Sequence, residues 1–192
     1  SDVYKRQQDE SLFGALGAAV LLGAFGGVFN GVLVAYAGLS AFVATLGTLT
    51  IFSGLALLVS DGKTIFGRAI PEIVGDFSRG GLPLAEGIQL PNLTLIAILV
   101  LILMGIVLQH TVFGRNLHAV GGNREASLLA GVPVARLRLI AFAVNGVGAA
   151  IAGLMLVSRL SSANPTQGDG LMLNAIASVF AVSYTHLTLP TS

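Results

Sequence analysis

The residues closest to a phosphate-binding motif are Asp61 to Thr64, which contain the Gly-Lys-Thr that ends such a loop. A complete motif needs an earlier glycine and a preceding strand, so that backbone N–H groups can surround the phosphates. Leu57 stands where that glycine should be, and no strand signal precedes it. The sequence therefore argues against a nucleotide site in this chain.

Metal binding and catalysis also lack the residues that they need. His110 and His118 are eight residues apart with no acidic cluster beside them, whereas zinc sites use three or four ligands. The favoured interpretation is that both are polar residues at a membrane interface. The chain has no cysteine, no His-Glu-x-x-His motif, no paired carboxylates within an apolar span and no plausible serine triad. We therefore expect no catalytic residue, no cofactor and no metal.

The composition indicates a membrane protein. Hydrophobic residues make up 54% of the chain and charged residues only 10%, whereas an ordinary soluble domain carries about 25% charged residues. The net charge of +1 gives no reason to expect a nucleic acid partner. Membrane lipid is the expected surrounding of the apolar segments.

The apolar segments that must position any polar residue are long. Residues 11–60 contain no Lys, Arg, Asp, Glu or His, which is enough chain for two spans of about 20 residues each. The pattern predicts an all-α, polytopic transmembrane helical bundle with about four full spans and a partial C-terminal helix. The predicted spans are about 12–36, 41–60, 93–110 and 140–157.

Between the second and third spans lies a predicted extramembrane loop, residues 61–92. It contains three prolines and seven charged residues, which are Asp61, Lys63, Arg68, Glu72, Asp76, Arg79 and Glu86. Such a density of charge cannot lie in lipid.

Two spans carry small residues at helical spacing. Gly23, Gly27 and Gly31 follow one another at i+4, so they share one helix face and allow another helix to approach closely. The fourth span offers a similar set, namely Gly146, Ala149, Ala150 and Gly153.

Two amides lie within spans, where lipid offers them no hydrogen-bonding partner. Asn30 is expected to bond to another helix, with contact to a transported solute as the alternative. Asn145 is expected to be buried. The hydroxyls of the second span, such as Thr45, can bond to carbonyls of their own helix and so do not prove a pore.

A charged island, residues 113–139, separates the third span from the fourth. It holds Arg115, Arg124, Arg136 and Arg138, each of which would cost about 2.5 to 3.5 kcal/mol at a bilayer centre. Water must therefore surround this segment.

A short helix is predicted inside the charged island. Gly121 and Gly122 interrupt the preceding structure, Asn123 is a good N-cap, and Glu125 falls in the first turn, where the helix dipole favours an anion. Gly131 and Pro133 end the helix. Its exposed stripe would be Ala126, Leu129 and Ala130, suited to the groove of a partner. An ordinary loop helix packed on its own bundle is the alternative.

Three segments together resemble one known family. They are GRNLHAVGGNREASLLAGVPVARLRL (114–139), FNGVLVAYAGLSAFVATLGTLTIFSGLA (29–56) and SRLSSANPTQGDGLMLNAIASVF (158–180). In this order they resemble the membrane subunits of bacterial ABC sugar importers of the ribose, xylose and arabinose type. The resemblance covers about residues 12–181.

The resemblance implies a multi-pass permease of the bacterial inner membrane that moves a monosaccharide and hydrolyses nothing itself. Its implied partners are an ABC ATPase subunit, a periplasmic or lipoprotein sugar-binding protein, and a second permease copy in a homodimer. The loop 112–138 would be cytoplasmic and 61–92 external. The sugar itself is not specified by these residues.

Site residues follow from the same resemblance. The segment that couples to the ATPase would comprise Gly122, Asn123, Glu125, Ala126, Leu129, Gly131 and Val132. The translocation path would comprise Asn30, Phe42, Thr45, Gly47, Ser161 and Asn164.

Two other classes of protein remain open from the residues alone. A secondary transporter normally carries coupling acids within its spans, and the predicted spans contain no Asp or Glu. A membrane enzyme would need a polar catalytic cluster at one interface, and no such cluster is seen.

The two ends of the chain do not continue the pattern beside them. Residues 1–7 and 182–192 resemble translated sequencing-adapter sequence, with a real charged amino terminus as the alternative. The importer domain is accordingly predicted for residues 8–181.

Overall fold

The computed structural model describes residues 2–66, 80–85 and 88–187. Its helices are α1 (Asp2–Ala35), α2 (Ala41–Ser60), α3 (Asn92–His110), α4 (Val112–Gly122), α5 (Arg124–Leu129), α6 (Val134–Leu160) and α7 (Asp169–Leu187). Its short strands are β1 (Ile65–Phe66), β2 (Gly81–Ala85), β3 (Ile88–Pro91) and β4 (Ser162–Ala163).

Four helical segments of the described chain are long and apolar enough to cross a membrane. They are Gly14–Ala35, Ala41–Ser60, Asn92–His110 and Val134–Leu160. Most of their large apolar side chains are exposed, as expected where lipid is the solvent. The predicted all-α polytopic bundle is confirmed.

The tightest contact in the bundle is between α1 and α6, and glycine makes it possible. A Cβ atom on Gly27 would lie against the carbonyl oxygen of Phe142 and 3.0 Å from Cα of Ala143. Gly31 meets Leu139 and Gly23 meets Ala150 in the same way.

Because the residue numbers rise on one helix as they fall on the other, α1 and α6 are antiparallel. The predicted packing face of Gly23, Gly27 and Gly31 is confirmed. Its partner on α6 includes Gly146 and Ala150, whereas Ala149 and Gly153 are exposed.

The helix α6 differs from the prediction in two ways. It begins at Val134 rather than near 140, so Arg136 and Arg138 lie in its first turns instead of in a loop. Asn145, which we expected to be buried, is exposed in the described chain. The wrong prediction arose because Asn145 lies about 100° from Gly146 around the helix, away from the face that meets α1.

Two small antiparallel ladders lie in and beside the predicted external loop. Ile65 pairs with Ala163 and Phe66 with Ser162, so the chain just after α2 is joined to the connection between α6 and α7. Strands β2 and β3 form a hairpin directly before α3. Arg68, Glu72, Asp76, Arg79 and Glu86 of this loop lie outside the described residues.

The two end segments of the chain are only partly described. Helix α1 begins at Asp2, within residues 1–7, and α7 continues to Leu187, beyond residue 181. Residues 1 and 188–192 lie outside the described part.

A sharp elbow joins α3 to α4. Thr111 caps α4 because its Oγ1 accepts a hydrogen bond from the Gly114 backbone N–H at 3.2 Å. Gly114 is buried, and a Cβ there would lie 2.5 Å from Cα of Leu108 in the last turns of α3. The first turn of α4 is therefore held against the end of a membrane-length helix.

Replacing Gly114 with alanine should open this elbow. The obstructing atoms belong to the Leu108 backbone, so no side-chain rotation relieves them, and overpacking of this kind costs about 1 to 3 kcal/mol. Titration of the micelle-bound chain with SDS should show an earlier unfolding midpoint. Gly121→Ala is the matched control, since open space surrounds Gly121, and it should not move the midpoint earlier. Equal midpoints for both variants would contradict the prediction.

Candidate coupling site and translocation path

The short helix α5 begins as the sequence predicts. Asn123 precedes it with extended backbone, and its side-chain Oδ1 accepts a hydrogen bond from the Ala126 N–H at 3.0 Å. Its carbonyl oxygen accepts from both the backbone N–H and the hydroxyl of Ser127, at 3.1 and 2.8 Å. Glu125 lies in the first turn. The predicted N-cap is confirmed.

The same helix ends at a left-handed glycine. Gly131 has φ of +78°, a conformation that costs glycine little and other residues more. The N–H groups of Gly131 and Val132 donate to the carbonyls of Leu128 and Ser127, both at 3.0 Å. These bonds satisfy carbonyls that the end of a helix would otherwise leave unpaired. The position of Gly131 at the helix end is confirmed.

The two faces of α5 differ in what they contact. Ser127 is buried, and Val134 and Leu137 in the first turns of α6 are also buried. The opposite side is open, because Leu129 is 90% exposed and Ala126 is exposed too. Leu128, beside it, is 50% exposed, so the open side of α5 carries two apolar side chains. Helix α5 therefore contacts α4 and α6 on one side and presents an apolar residue outward on the other.

Sequence reasoning missed two residues of this site. Ser127 fixes the helix to its own cap, and Leu128 adds a second apolar side chain that is 50% exposed. Ser127 lies four residues after Asn123, the spacing at which a hydroxyl reaches the carbonyl of the preceding turn, so a signal was present. Leu128 carried no signal, because a six-residue helix is too short to show a period.

Removing the cap should loosen α5 selectively. In Asn123→Ala the Ala126 N–H loses its acceptor, which typically costs about 1 kcal/mol of helix stability, or about fivefold in the local opening equilibrium. Amide hydrogen exchange at Ala126 and Ser127 should accelerate by about that factor, while exchange in α6 stays unchanged. Asn123→Asp keeps an oxygen acceptor and should exchange slowly. Fast exchange in Asn123→Asp, or no change in Asn123→Ala, would contradict the assignment.

The candidate path residues fall into two groups. The first group surrounds the contact between α1 and α2. Asn30 accepts a hydrogen bond at Oδ1 from the Thr48 hydroxyl at 2.8 Å, and Thr48 is buried. This is the interhelical role that the sequence analysis favoured for Asn30.

Three further residues of the first group lie early in α2. The Thr45 hydroxyl bonds back to the Ala41 carbonyl at 2.8 Å, as expected for a helix hydroxyl. Phe42 is 66% exposed, and Gly47 is exposed with open space around it. These three positions form an open surface rather than a closed pocket.

The second group lies at the other end of the bundle. Ser161 ends α6 in a left-handed conformation, next to the ladder of β1 and β4. Asn164 accepts at Oδ1 from the N–H and the hydroxyl of Thr166, both at 2.9 Å, which makes a compact turn. Since α1 and α6 are antiparallel and Phe42 follows α1, the structure places Phe42 at the α5 end and Asn164 at the opposite end. It does not bring the two groups together.

Comparison with known proteins gives one family for nearly the whole chain. The profile described as "Branched-chain amino acid transport system / permease component" matches residues 3–185. No solved structure matches the chain.

Curated relatives narrow the similarity. The ribose import permease protein RbsC of Bacillus subtilis (strain 168) is 38% identical over 150 residues, which are 78% of this chain and 45% of the relative. The L-arabinose transport system permease protein AraH of Escherichia coli (strain K12) is 39% identical over 148 residues, 77% of this chain and 43% of the relative.

A third relative is named for a different cargo. The autoinducer 2 import system permease protein LsrC of Enterobacter sp. (strain 638) is 40% identical over 160 residues, 83% of this chain and 44% of the relative. The chain thus spans less than half the length of each of these three relatives.

Proposed function

Because the chain belongs to the family of branched-chain amino acid transport system permease components, we propose that it is the membrane-spanning subunit of an ATP-driven importer in the bacterial inner membrane. Its cargo is a monosaccharide. ATP hydrolysis occurs on a separate ATPase subunit. The observation that carries the proposal is α5, which is capped at both ends, contacts α4 and α6, and leaves Leu129 almost fully exposed.

The proposed coupling segment is the set named from the sequence: Gly122, Asn123, Glu125, Ala126, Leu129, Gly131 and Val132. In the proposal, the exposed face of α5 lies in a groove of the ATPase and moves with it. An apolar side chain such as Leu129, once buried in such a groove, contributes about 1.5 to 3 kcal/mol to binding. Glu125 at the rim of the same face would then contribute to the choice of partner rather than to affinity.

Movement of α5 has a direct route into the membrane. Helix α5 contacts both α4 and α6, and Ser127 and Val134, which lie on either side of the short connection to α6, are buried. Helix α6 in turn packs backbone to backbone against α1 through Gly27 and Gly146. Close-packed interfaces move as rigid bodies more readily than they deform. A displacement of α5 should therefore move α1 and α6 together.

The proposed cargo class comes from the relatives. Two of them are named for ribose and L-arabinose import and one for autoinducer 2 import. The first two are sugars, which need hydroxyl and amide partners along a path that is otherwise apolar. Polar side chains at both ends of the bundle, Thr45 and Asn164 among them, suit a path for such a cargo. The full candidate path remains Asn30, Phe42, Thr45, Gly47, Ser161 and Asn164.

The proposed orientation places the coupling segment in the cytoplasm. The opposite end of the bundle, which carries the ladder of β1 and β4, lies on the outer side of the membrane. This orientation rests on the likeness to the importer permeases, because the antiparallel course of α1 and α6 fixes only that α5 and the ladder of β1 and β4 lie at opposite ends of α6. An external sugar-binding protein would then meet the ladder end. A second copy of the permease completes the proposed path.

The test is reconstitution. The permease is placed in liposomes with a candidate ABC ATPase and a candidate sugar-binding protein. Binding protein loaded with ribose or arabinose should stimulate ATP hydrolysis and drive labelled sugar into the liposome lumen. Sugar uptake driven by a proton or sodium gradient without ATP would contradict the proposal and favour a secondary transporter.

A further inference from the structure

The arginines beside the membrane boundary carry a charge that the described chain does not neutralise. Of the residues from 112 to 160, Glu125 is the only acid, against Arg115, Arg124, Arg136, Arg138 and Arg159. The ion pair of the described residues joins Lys63 to Asp61, far along the chain from these arginines. The guanidinium groups of Arg115, Arg136 and Arg138 therefore have no anionic partner in the part of the chain that the structure describes.

Arg115 lies at the edge of the membrane because of the elbow between α3 and α4. Helix α3 is of membrane length and ends at His110, and Gly114 of α4 is buried against Leu108. Arg115 follows Gly114 directly and is exposed. Its guanidinium therefore starts within one turn of the end of an apolar span.

Arg136 and Arg138 lie beside a second contact between apolar helices. Leu139 packs on Gly31 of α1, within two segments that are long and apolar enough to cross the membrane. Arg138 precedes Leu139 and is half-buried, and Arg136 is exposed one turn before Ile140. Helix α4 also contacts α6. We call Arg115, Arg136 and Arg138 the basic collar.

Exposed apolar side chains accompany the basic collar. Val112 is 60% exposed and shares a helix face with Arg115 at i, i+3, while Ile140 is 47% exposed and shares a face with Arg136 at i, i+4. A long basic side chain above an exposed apolar one suits a lipid interface, where the apolar group meets acyl chains and the cation reaches the headgroup. A lipid interface accounts for the unpaired cations and for the exposed side chains of Val112 and Ile140 together.

We propose that the basic collar binds the phosphate-bearing headgroups of anionic phospholipids, so that α4 lies at the membrane surface as an interfacial anchor beside the coupling segment. Attraction of a single Lys or Arg to an anionic surface is equivalent to about a fivefold preference. Three guanidinium groups on two contacting helices should therefore select phosphatidylglycerol over phosphatidylcholine clearly. The proposal concerns lipid alone and does not require an ATPase or a transported cargo.

The test uses the absence of tryptophan from the chain. Val112→Trp introduces one fluorescent reporter at an exposed position near Arg115. The purified chain is reconstituted in vesicles of brominated phosphatidylglycerol and unlabelled phosphatidylcholine. A second set of vesicles contains unlabelled phosphatidylglycerol and brominated phosphatidylcholine. Quenching should show that the anionic lipid is preferred next to the reporter by about fivefold or more. The preference should fall as NaCl is raised, because salt screens exposed charges.

Substitution then assigns the preference to the collar. On the reporter background, replacing Arg115, Arg136 and Arg138 together with glutamine should bring the preference close to onefold, and Arg115→Gln alone should lower it by about fivefold. Arg159→Gln is the matched control, because Arg159 is an exposed arginine at the opposite end of α6, and it should leave the preference unchanged. If the triple variant loses its helical circular dichroism signal, Arg115→Gln and the salt titration decide whether the lipid preference depends on the basic collar.

Three outcomes would overturn the proposal. Equal quenching by the two lipids in the reporter chain would leave the basic collar to a protein partner, such as an acidic rim of an ATPase. A preference that survives the arginine substitutions would assign it to other residues. Loss of the preference on adding inorganic phosphate, beyond the effect of chloride at equal ionic strength, would indicate a site for free phosphate. None of these results bears on sugar-stimulated ATP hydrolysis, so failure here is distinguishable from failure of the proposed function.

Discussion

Leucine in place of Gly27 is expected to separate α1 from α6 and to lower the free energy of unfolding by about 3 kcal/mol. A side chain at this position meets the Phe142 carbonyl at once, and its Cβ would also lie 3.0 Å from Cα of Ala143 and 3.1 Å from Cα of Gly146. All three obstacles are backbone atoms, which cannot rotate away. The helices can accommodate leucine only by moving apart along their length.

Separation of α1 and α6 would also weaken the van der Waals contacts that hold the two helices together. In a membrane, helices associate through van der Waals contact and hydrogen bonds, since lipid tails are as apolar as the side chains. A gap of even 0.5 to 1 Å forfeits about a quarter to a half of each such contact. The loss therefore spreads from Gly27 to the contacts of Gly23 and Gly31.

The measurement uses the absence of cysteine. A donor and an acceptor dye are attached to cysteines introduced at exposed Ala37 and Arg136, near the ends where α1 and α6 meet, and energy transfer is followed during titration with SDS. Gly17→Leu is the matched control, because it adds the same side chain to the same helix where nothing lies within 4 Å. The Gly27 variant should lose energy transfer at a clearly lower SDS fraction. Similar midpoints for the two variants would show that the glycine contact is not what holds the pair.

The glycine face could be predicted because spacing alone defines it. Gly23, Gly27 and Gly31 lie at i+4, and any regular helix places them on one side. The partner could not be predicted with the same certainty, because Ala149 and Ala150 are both small and only one of them faces α1. Which face of a helix meets a neighbour is a tertiary property, and the error over Asn145 has the same origin.

The caps of α5 were predictable for a different reason. Asn123 and Gly131 are residue types whose preference is local, since a side-chain amide oxygen suits an N-cap and glycine suits a left-handed end. Their hydrogen bonds and the φ of +78° agree with that reading.

Helix α4 shows where local reasoning stops. Three glycines, Gly114, Gly121 and Gly122, lower the helix propensity of residues 112–122. The sequence therefore predicted that this segment is part of a loop. In the structure Gly114 is required by the elbow, because its missing side chain lets α4 approach the Leu108 backbone. A glycine needed for a close approach and a glycine that breaks a helix look alike in sequence.

The ladder of β1 and β4 could not be predicted from local sequence either. Its strands have two residues each and lie nearly a hundred positions apart, so no periodic pattern marks them. Pairing across such a separation follows from the positions of α2 and α6, not from the residues that pair.

Glutamate in place of Leu129 is expected to uncouple the permease from its ATPase while leaving the permease folded. Leu129 is 90% exposed, so its side chain contributes little to the packing of its own chain. In the proposed complex it is the most exposed apolar group of α5, and burying such a side chain contributes about 1.5 to 3 kcal/mol, so its loss should weaken binding by about tenfold or more. A carboxylate in the same groove adds the cost of burying an unpaired charge.

The matched control is Leu129→Met, which keeps an apolar side chain of similar volume and should retain coupling. Affinity for the ATPase, ATP hydrolysis stimulated by sugar-loaded binding protein, and the SDS unfolding midpoint are measured on both variants. The proposal expects Leu129→Glu to lose the first two and keep the third. Full stimulation of ATP hydrolysis in Leu129→Glu would show that the ATPase binds another part of the chain, even if sugar transport itself were confirmed.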